Sequence, residues 1–257
     1  MRVAAIYDIH GNLPALKAVL QEIRAVGVDL VVVGGDVLPG PMPGATLDCL
    51  LELKTPIQFI RGNGEAAVLA QLAGNDSALP EQAREAVRWN AQQLTAEQVR
   101  VIASWPATFR IEIHGVGEVL FCHATPRNDS EIFTRLTAEE RLLPVFGGVD
   151  VSVVVCGHTH MQFDRMVGNT RVVNAGSVGM PFGLPGADWL LLGPEVELRH
   201  TSYDLTRAVE QIRETEYPQA RDFAARNVLQ PPAEEDMLKL FTRAELKDQA
   251  LGRAPMS

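Results

Sequence analysis

The chain has 257 residues, 46% of them hydrophobic and 21% charged, with a formal net charge of −9. It can bury a full core without low-complexity tracts, and its acidity argues against a nucleic-acid duplex or an anionic membrane as main partner, because both reward clustered Lys and Arg. No apolar run approaches the ~18 residues of a membrane span, and Asp8 and His10 fall where a signal peptide would need its apolar stretch, so a cytoplasmic protein is expected.

The opening predicts a strand over Val3 to Tyr7, a polar turn Asp8-Ile9-His10-Gly11-Asn12, and a helix with Leu13, Leu16, Val19, Leu20 and Ile23 on one face. A second apolar run, Leu30 to Val33, ends in Gly34-Gly35-Asp36. A third, Ile57 to Ile60, ends in Arg61-Gly62-Asn63-Gly64-Glu65. Helix-compatible segments follow both. Residues 80 to 105 read as helical, with a break and a fresh N-cap at Leu94-Thr95-Ala96-Glu97.

Short strands follow: Phe109 to Ile113, Val119 to Cys122, Val151 to Cys156, Arg171 to Val173, Trp189 to Leu192 and Val196 to His200, with a helix expected over 137–146. Strands alternating with helices, then meandering, imply an α/β fold of two mixed sheets packed face to face with helices outside. From about Leu205 the chain becomes charge-rich and helix-forming, interrupted by Pro231-Pro232. This divides it into 1–204 and a helical extension, 205–257. The three cysteines are too few and scattered for a disulfide framework. Cys122 and Cys156 close apolar runs and are expected to pack as small hydrophobes.

Polar clusters sit directly after the apolar runs: Asp8-x-His10, Gly35-Asp36, Gly62-Asn63, His123 and Gly157-His158-Thr159-His160. Loops at strand ends are where α/β folds place binding groups. Taken singly, Asp8 and Asn12 suit turns, Asp36 a helix cap and Asn63 a left-handed turn. The histidines resist such readings, since four of the chain's six lie at strand ends. Mixed oxygen and imidazole ligands favour divalent first-row metals. The i, i+2 spacing of Asp8 with His10, and of His158 with His160, would let each pair grip one ion from two sides if the segments are strand-like.

In these motifs the sequence resembles the calcineurin-like metallophosphoesterase superfamily, over roughly residues 1 to 204, and within it the small bacterial and archaeal phosphoesterases. Asp8-Ile9-His10-Gly11-Asn12 and Asn174-Ala175-Gly176-Ser177-Val178-Gly179 carry the closer likeness. The resemblance implies a four-layer fold and a hydrolase acting on a phosphate mono- or diester, either a small molecule or a phosphoprotein. It implies two divalent cations drawn from Mn, Fe, Ni, Co and Zn. Asp8, His10 and His160 would hold the first, Asn63, His123 and His158 the second, and Asp36 would bridge. Such a pair would acidify a water lying between them, and the hydroxide would attack phosphorus in line with the leaving oxygen.

One position departs from the family pattern. Its catalytic His after Gly-Asn is Gly64 here, so protonation of the leaving group is unassigned unless Glu65 or a metal-bound water supplies it. An imidazole returned to position 64 is expected to restore that acid. Asn63 and Arg127 are the candidates for orienting phosphoryl oxygens, Arg127 through its planar donor fork. The opposing expectation is a binding or scaffold module that keeps the fold without turnover. Specificity would reside in loops 39–46, 124–136 and 180–187, and the oligomeric state is left open, a homo-oligomer included.

Overall fold

The computed structural model describes residues 1–75 and 79–246. Among these residues ten strands form two mixed five-stranded sheets. In the first sheet β1 (Val3–Ile6), β2 (Leu30–Val33) and β3 (Ile57–Phe59) are parallel. The antiparallel β9 (Ala187–Leu192) and β10 (Val196–Thr201) extend the β1 edge. In the second, β5 (Gly117–Cys122), β6 (Val153–Cys156) and β8 (Thr170–Asn174) are parallel, edged by antiparallel β4 (Thr108–Ile113) and β7 (Phe163–Val167).

Alternation along each strand divides the apolar residues between layers. Val3 and Ala5 of β1 join Val32, Phe121, Val155, Val173 and Leu190 between the sheets. Ala4 and Ile6 face the other way, onto α1 (Leu13–Val26) and α2 (Pro43–Leu51). Behind the second sheet, Cys122 and Cys156 pack with Leu142, Val145 and Phe146 of α6 (Glu139–Phe146). Burial pushes both thiols up, as expected of small buried hydrophobes. The result is helix, sheet, sheet, helix, and the parallel strands of both sheets end at one edge.

Helix α1 shows how the strand-end loops are fixed locally. Asn12 is its N-cap, its Oδ1 accepting from the Ala15 N–H at 3.2 Å, and its Nδ2 donates to Gly179 O at 2.9 Å. Helices α4 (Glu81–Gln93) and α5 (Ala96–Ala103) flank the expected break, with Thr95 and Gln98 capping each other reciprocally. Strand β7 is an addition to the sequence reading. Its FDRMV stretch has exposed Asp164 and Met166 and lies at a sheet edge, so it shows little apolar signal.

After β10 come α7 (Leu205–Arg213), α8 (Ala220–Phe223), a wider π-helical turn over Ala224–Leu229 and α9 (Glu234–Ala244). These share a core with the rest of the chain: Val209, Ile212, Phe223 and Val228 pack with Ala86 of α4, and with Met42 and Met180 at its margin. Among the described residues no helix is long and apolar enough to cross a membrane.

Candidate metal centre

Asp8 and His10 follow β1, Asp36 follows β2, Asn63 follows β3, His123 follows β5, and His158 and His160 follow β6. They meet in two groups, Asp8–His10–His160 and Asp36–His123–His158, in each of which one potential ligand atom per residue lies within 4.8 Å of the others. Asn63 Oδ1 lies 3.0 Å from His123 Nε2, beside the second group. The Asp36 carboxylate lies between the groups, with Oδ1 3.5 Å from His123 Nε2 and Oδ2 3.7 Å from His10 Nε2.

The i, i+2 reading holds for Asp8 and His10, which share a group, and needs correction for His158 and His160. Asp8, His10, Asp36, His158 and His160 all adopt left-handed φ values, between 47° and 66°, so the segments are not strand-like. His158 and His160 point into different groups. Each such non-glycine residue costs about 1–3 kcal/mol, and neighbours hold it in place. The N–H groups of Asp8 and His10 donate to Gly35 O and Asp36 O at 3.1 and 2.9 Å. Asp8 O accepts from Gly179 N–H and Ser177 Oγ at 3.0 and 2.7 Å. The Asn174–Gly179 segment thus buttresses the site's backbone. Asp36 caps no helix, since α2 starts only at Pro43, and Asn63 opens α3 (Asn63–Leu72).

The hydrogen-bond pattern tests whether these residues suit a cation. His10, His123 and His160 each direct Nδ1 at a backbone carbonyl, of Pro39 (3.1 Å), Gly34 (2.9 Å) and Met180 (3.0 Å). In the neutral ring this leaves every Nε2 as an inward acceptor. Yet His10 Nε2 faces His160 Nε2 at 3.2 Å, and His123 Nε2 faces Asn63 Oδ1 at 3.0 Å. Acceptor against acceptor repels unless a cation or an extra proton lies between. Asp8 Oδ2 accepts from the His158 N–H at 2.8 Å, while its buried Oδ1 has no hydrogen-bond partner and lies 3.3 Å from His160 Nε2. An orphaned carboxylate oxygen among imidazole lone pairs fits a divalent cation.

Among the protein's own charges, proton sharing is uneven. Burial would lower His123, but the Asp36 and Asp8 carboxylates outweigh it and push the ring up to about 10. Burial and then the His123 charge take His158 down to about 4. Asp36 is held below the usual carboxylate range by the His123, His10 and His158 imidazoles, although burial works against them. Metal ions must displace the His123 proton to bind.

Position 64 is closed to any side chain. A Cβ there would lie 2.1 Å from the Leu38 carbonyl oxygen and 2.8 Å from Asp36 Oδ1, and the Gly64 N–H donates to that Oδ1 at 2.7 Å. An imidazole therefore cannot simply be returned to this position. Glu65 is no substitute, being fully buried with its oxygens accepting from the N–H groups of Asp36, Leu38 and Gly62 at 2.9–3.0 Å. Burial and the Asp36 charge raise it to about 7. Its role, missed in the sequence, is to tie the β2 and β3 end loops together. The i, i+3 spacing from Gly62 was the available signal.

Arg127 is engaged by Glu131, whose buried carboxylate accepts from Nη2 at 2.7 Å and from Nε at 3.0 Å. Thr125 Oγ1 donates to the same carboxylate at 2.6 Å. His114 is exposed in the β4–β5 hairpin, and His200 pairs with Asp188 at 2.7 Å, so neither belongs to the two groups.

Known proteins resemble this chain in sequence and in fold. The profile of the calcineurin-like phosphoesterase superfamily domain matches residues 1–192. The chain belongs to this superfamily. Calcineurin-like phosphoesterases are metal-dependent, and the two groups are this member's candidate metal-binding residues. The chain is 27% identical to protein MJ0912 of Methanocaldococcus jannaschii, over 84% of this chain and 94% of that protein. It also resembles the crystal structure of a metallophosphoesterase from Sphaerobacter thermophilus, with a TM-score of 0.67 and 26% identity, covering 88% of this chain and 98% of that one. The structure of hypothetical protein PH1004 from Pyrococcus horikoshii shares the fold, with a TM-score of 0.76 at 18% identity over 90% and 99% of the two chains.

Proposed function

We propose that this phosphoesterase hydrolyses a phosphate mono- or diester, of a small molecule or a phosphoprotein, using two divalent cations drawn from Mn, Fe, Ni, Co and Zn. Asp8, His10 and His160 hold the first, Asn63, His123 and His158 the second, and Asp36 serves both. The observation that carries this reading is the Asp36 carboxylate, whose two oxygens address one imidazole of each group. When bound, the cations supply an acidified water as nucleophile and positive charge for the phosphoryl oxygens.

The chain's own residues do the rest. The backbone carbonyls that take the Nδ1 protons hold each ring with Nε2 inward. Asn63 orients phosphoryl oxygens from the β3 end, and Arg127 contributes Nη1, which has no protein partner among the described residues while Glu131 holds the other side of the fork. The unit carrying this chemistry is residues 1–204, followed by the extension 205–257, which is helical and packed on it as far as residue 246, residues 247–257 lying outside the described residues.

A chelator-treated sample should lose hydrolysis of bis-p-nitrophenyl phosphate and p-nitrophenyl phosphate, and regain it with one or more of the five metals. Arg127→Ala should reconstitute with the same metal content but a higher KM. The closed position 64 favours a second reading, a binding module without turnover. Full metal uptake without hydrolysis of either ester would establish that reading instead.

A further inference from the structure

We infer that the C-terminal helix α9 braces the first metal group, with Phe241 backing Phe182 and Phe182 holding the His160 imidazole in its ligand orientation. This rests on the reading of Asp8, His10 and His160 as a metal site.

The segment Met180–Phe182 grips His160 at three points. Met180 O accepts from His160 Nδ1 at 3.0 Å, the Phe182 N–H donates to His160 O at 3.4 Å, and the Phe182 ring stacks on the imidazole with centroids 5.4 Å apart and planes 25° from parallel. The carbonyl fixes which nitrogen carries the proton, and the stacked ring limits rotation about the side chain. The C-terminal segment in turn holds this grip from behind. The Gly183 N–H donates to Pro232 O at 2.9 Å, and the Phe241 ring meets Phe182 at a centroid distance of 6.0 Å.

Helix α9 is itself pinned at both ends. Glu234 pairs with Arg135 at its start. At its end, buried Glu245 accepts from Thr137 Oγ1 at 2.7 Å and from Arg141 Nη1 at 2.8 Å, and the Leu246 N–H donates to Ile132 O at 2.9 Å. Among the described residues the second group has no such support. His123 takes its carbonyl partner from Gly34, at the end of β2. A defect in the brace should therefore reach one metal and spare the other.

The test uses the full chain and Zn²⁺, titrated against a chromophoric chelator to resolve two binding steps. Supporting contacts around metal ligands are typically worth about 10–100-fold in affinity. Phe241→Ala and Phe182→Leu should weaken one step by about that factor and leave the other at its wild-type value, with Phe182→Tyr restoring the weakened step. Because one step is retained, it also reports that the variant is folded. Unchanged affinity at both steps would overturn the inference. So would equal loss of both in either variant, which would give α9 only a general folding role. A wild-type protein that takes up no Zn²⁺ would instead contradict the metal reading beneath it.

Discussion

Asp36→Ala is expected to leave the purified protein with neither metal ion and no measurable ester hydrolysis. The carboxylate faces His10 on one side and His123 on the other, one oxygen toward each group, whereas Asp8 turns only Oδ1 inward, nearer His160 than His123 (3.3 against 3.8 Å), and uses Oδ2 to accept from the His158 N–H. Without it, two divalent cations would repel each other with only Asp8 Oδ1 left to screen them. Metal-centred charge stabilisation is worth several kcal/mol, and at 1.36 kcal/mol per tenfold this is a loss of about 10³-fold or more. Asp36→Asn keeps an acceptor for the Gly64 N–H and separates charge from shape. It should show the same metal loss with less destabilisation. Elemental analysis showing two ions per chain in Asp36→Ala would remove the bridging role.

Gly64→His is expected to damage the centre instead of repairing it. The Cβ alone lies inside contact distance of the Leu38 carbonyl, a backbone atom that cannot swing aside, and of Asp36 Oδ1. Overpacking of this kind costs about 1–3 kcal/mol or more, so even Gly64→Ala should melt at a lower temperature and bind metal less tightly. The wild-type enzyme, with no side-chain acid at position 64 and with Glu65 committed to backbone, should show rates that fall steeply as leaving-group pKa rises. A positioned acid is worth about 10²–10⁴-fold, mostly for poor leaving groups, so alkyl phosphates should lag far behind nitrophenyl phosphates. A Gly64→His protein that keeps both ions and turns over alkyl esters faster would contradict this account of the pocket.

Much of this centre was legible in the sequence because apolar runs and strand-end loops are local signals. Leu30–Val33 is a strand with the bounds its composition predicts, and Asp36 follows it as expected. The backbone at the candidate ligands was not legible. Asp and His prefer φ below zero, and contacts between neighbouring strand-end loops, such as His10 N–H to Asp36 O, hold them at positive φ. His158 and His160, with the same spacing as Asp8 and His10, separate into different groups while Asp8 and His10 stay together. Spacing alone pointed to a shared ion for both pairs and was right for one.

The closed pocket at Gly64 was invisible for the same reason, since Leu38 lies 26 positions earlier in the chain and approaches only through the fold. The C-terminal helices read correctly as helices. Their core with Ala86 and Met42, and the contact of Phe241 with Phe182, join residues far apart in sequence and leave no pattern within either stretch.

The most direct measurement is anomalous diffraction from crystals of the wild-type protein grown with Mn²⁺. The account predicts two peaks roughly 3.5–4 Å apart, one enclosed by Asp8, His10 and His160, the other by Asn63, His123 and His158, with Asp36 in contact with both. A single peak, or density away from these side chains, would contradict it.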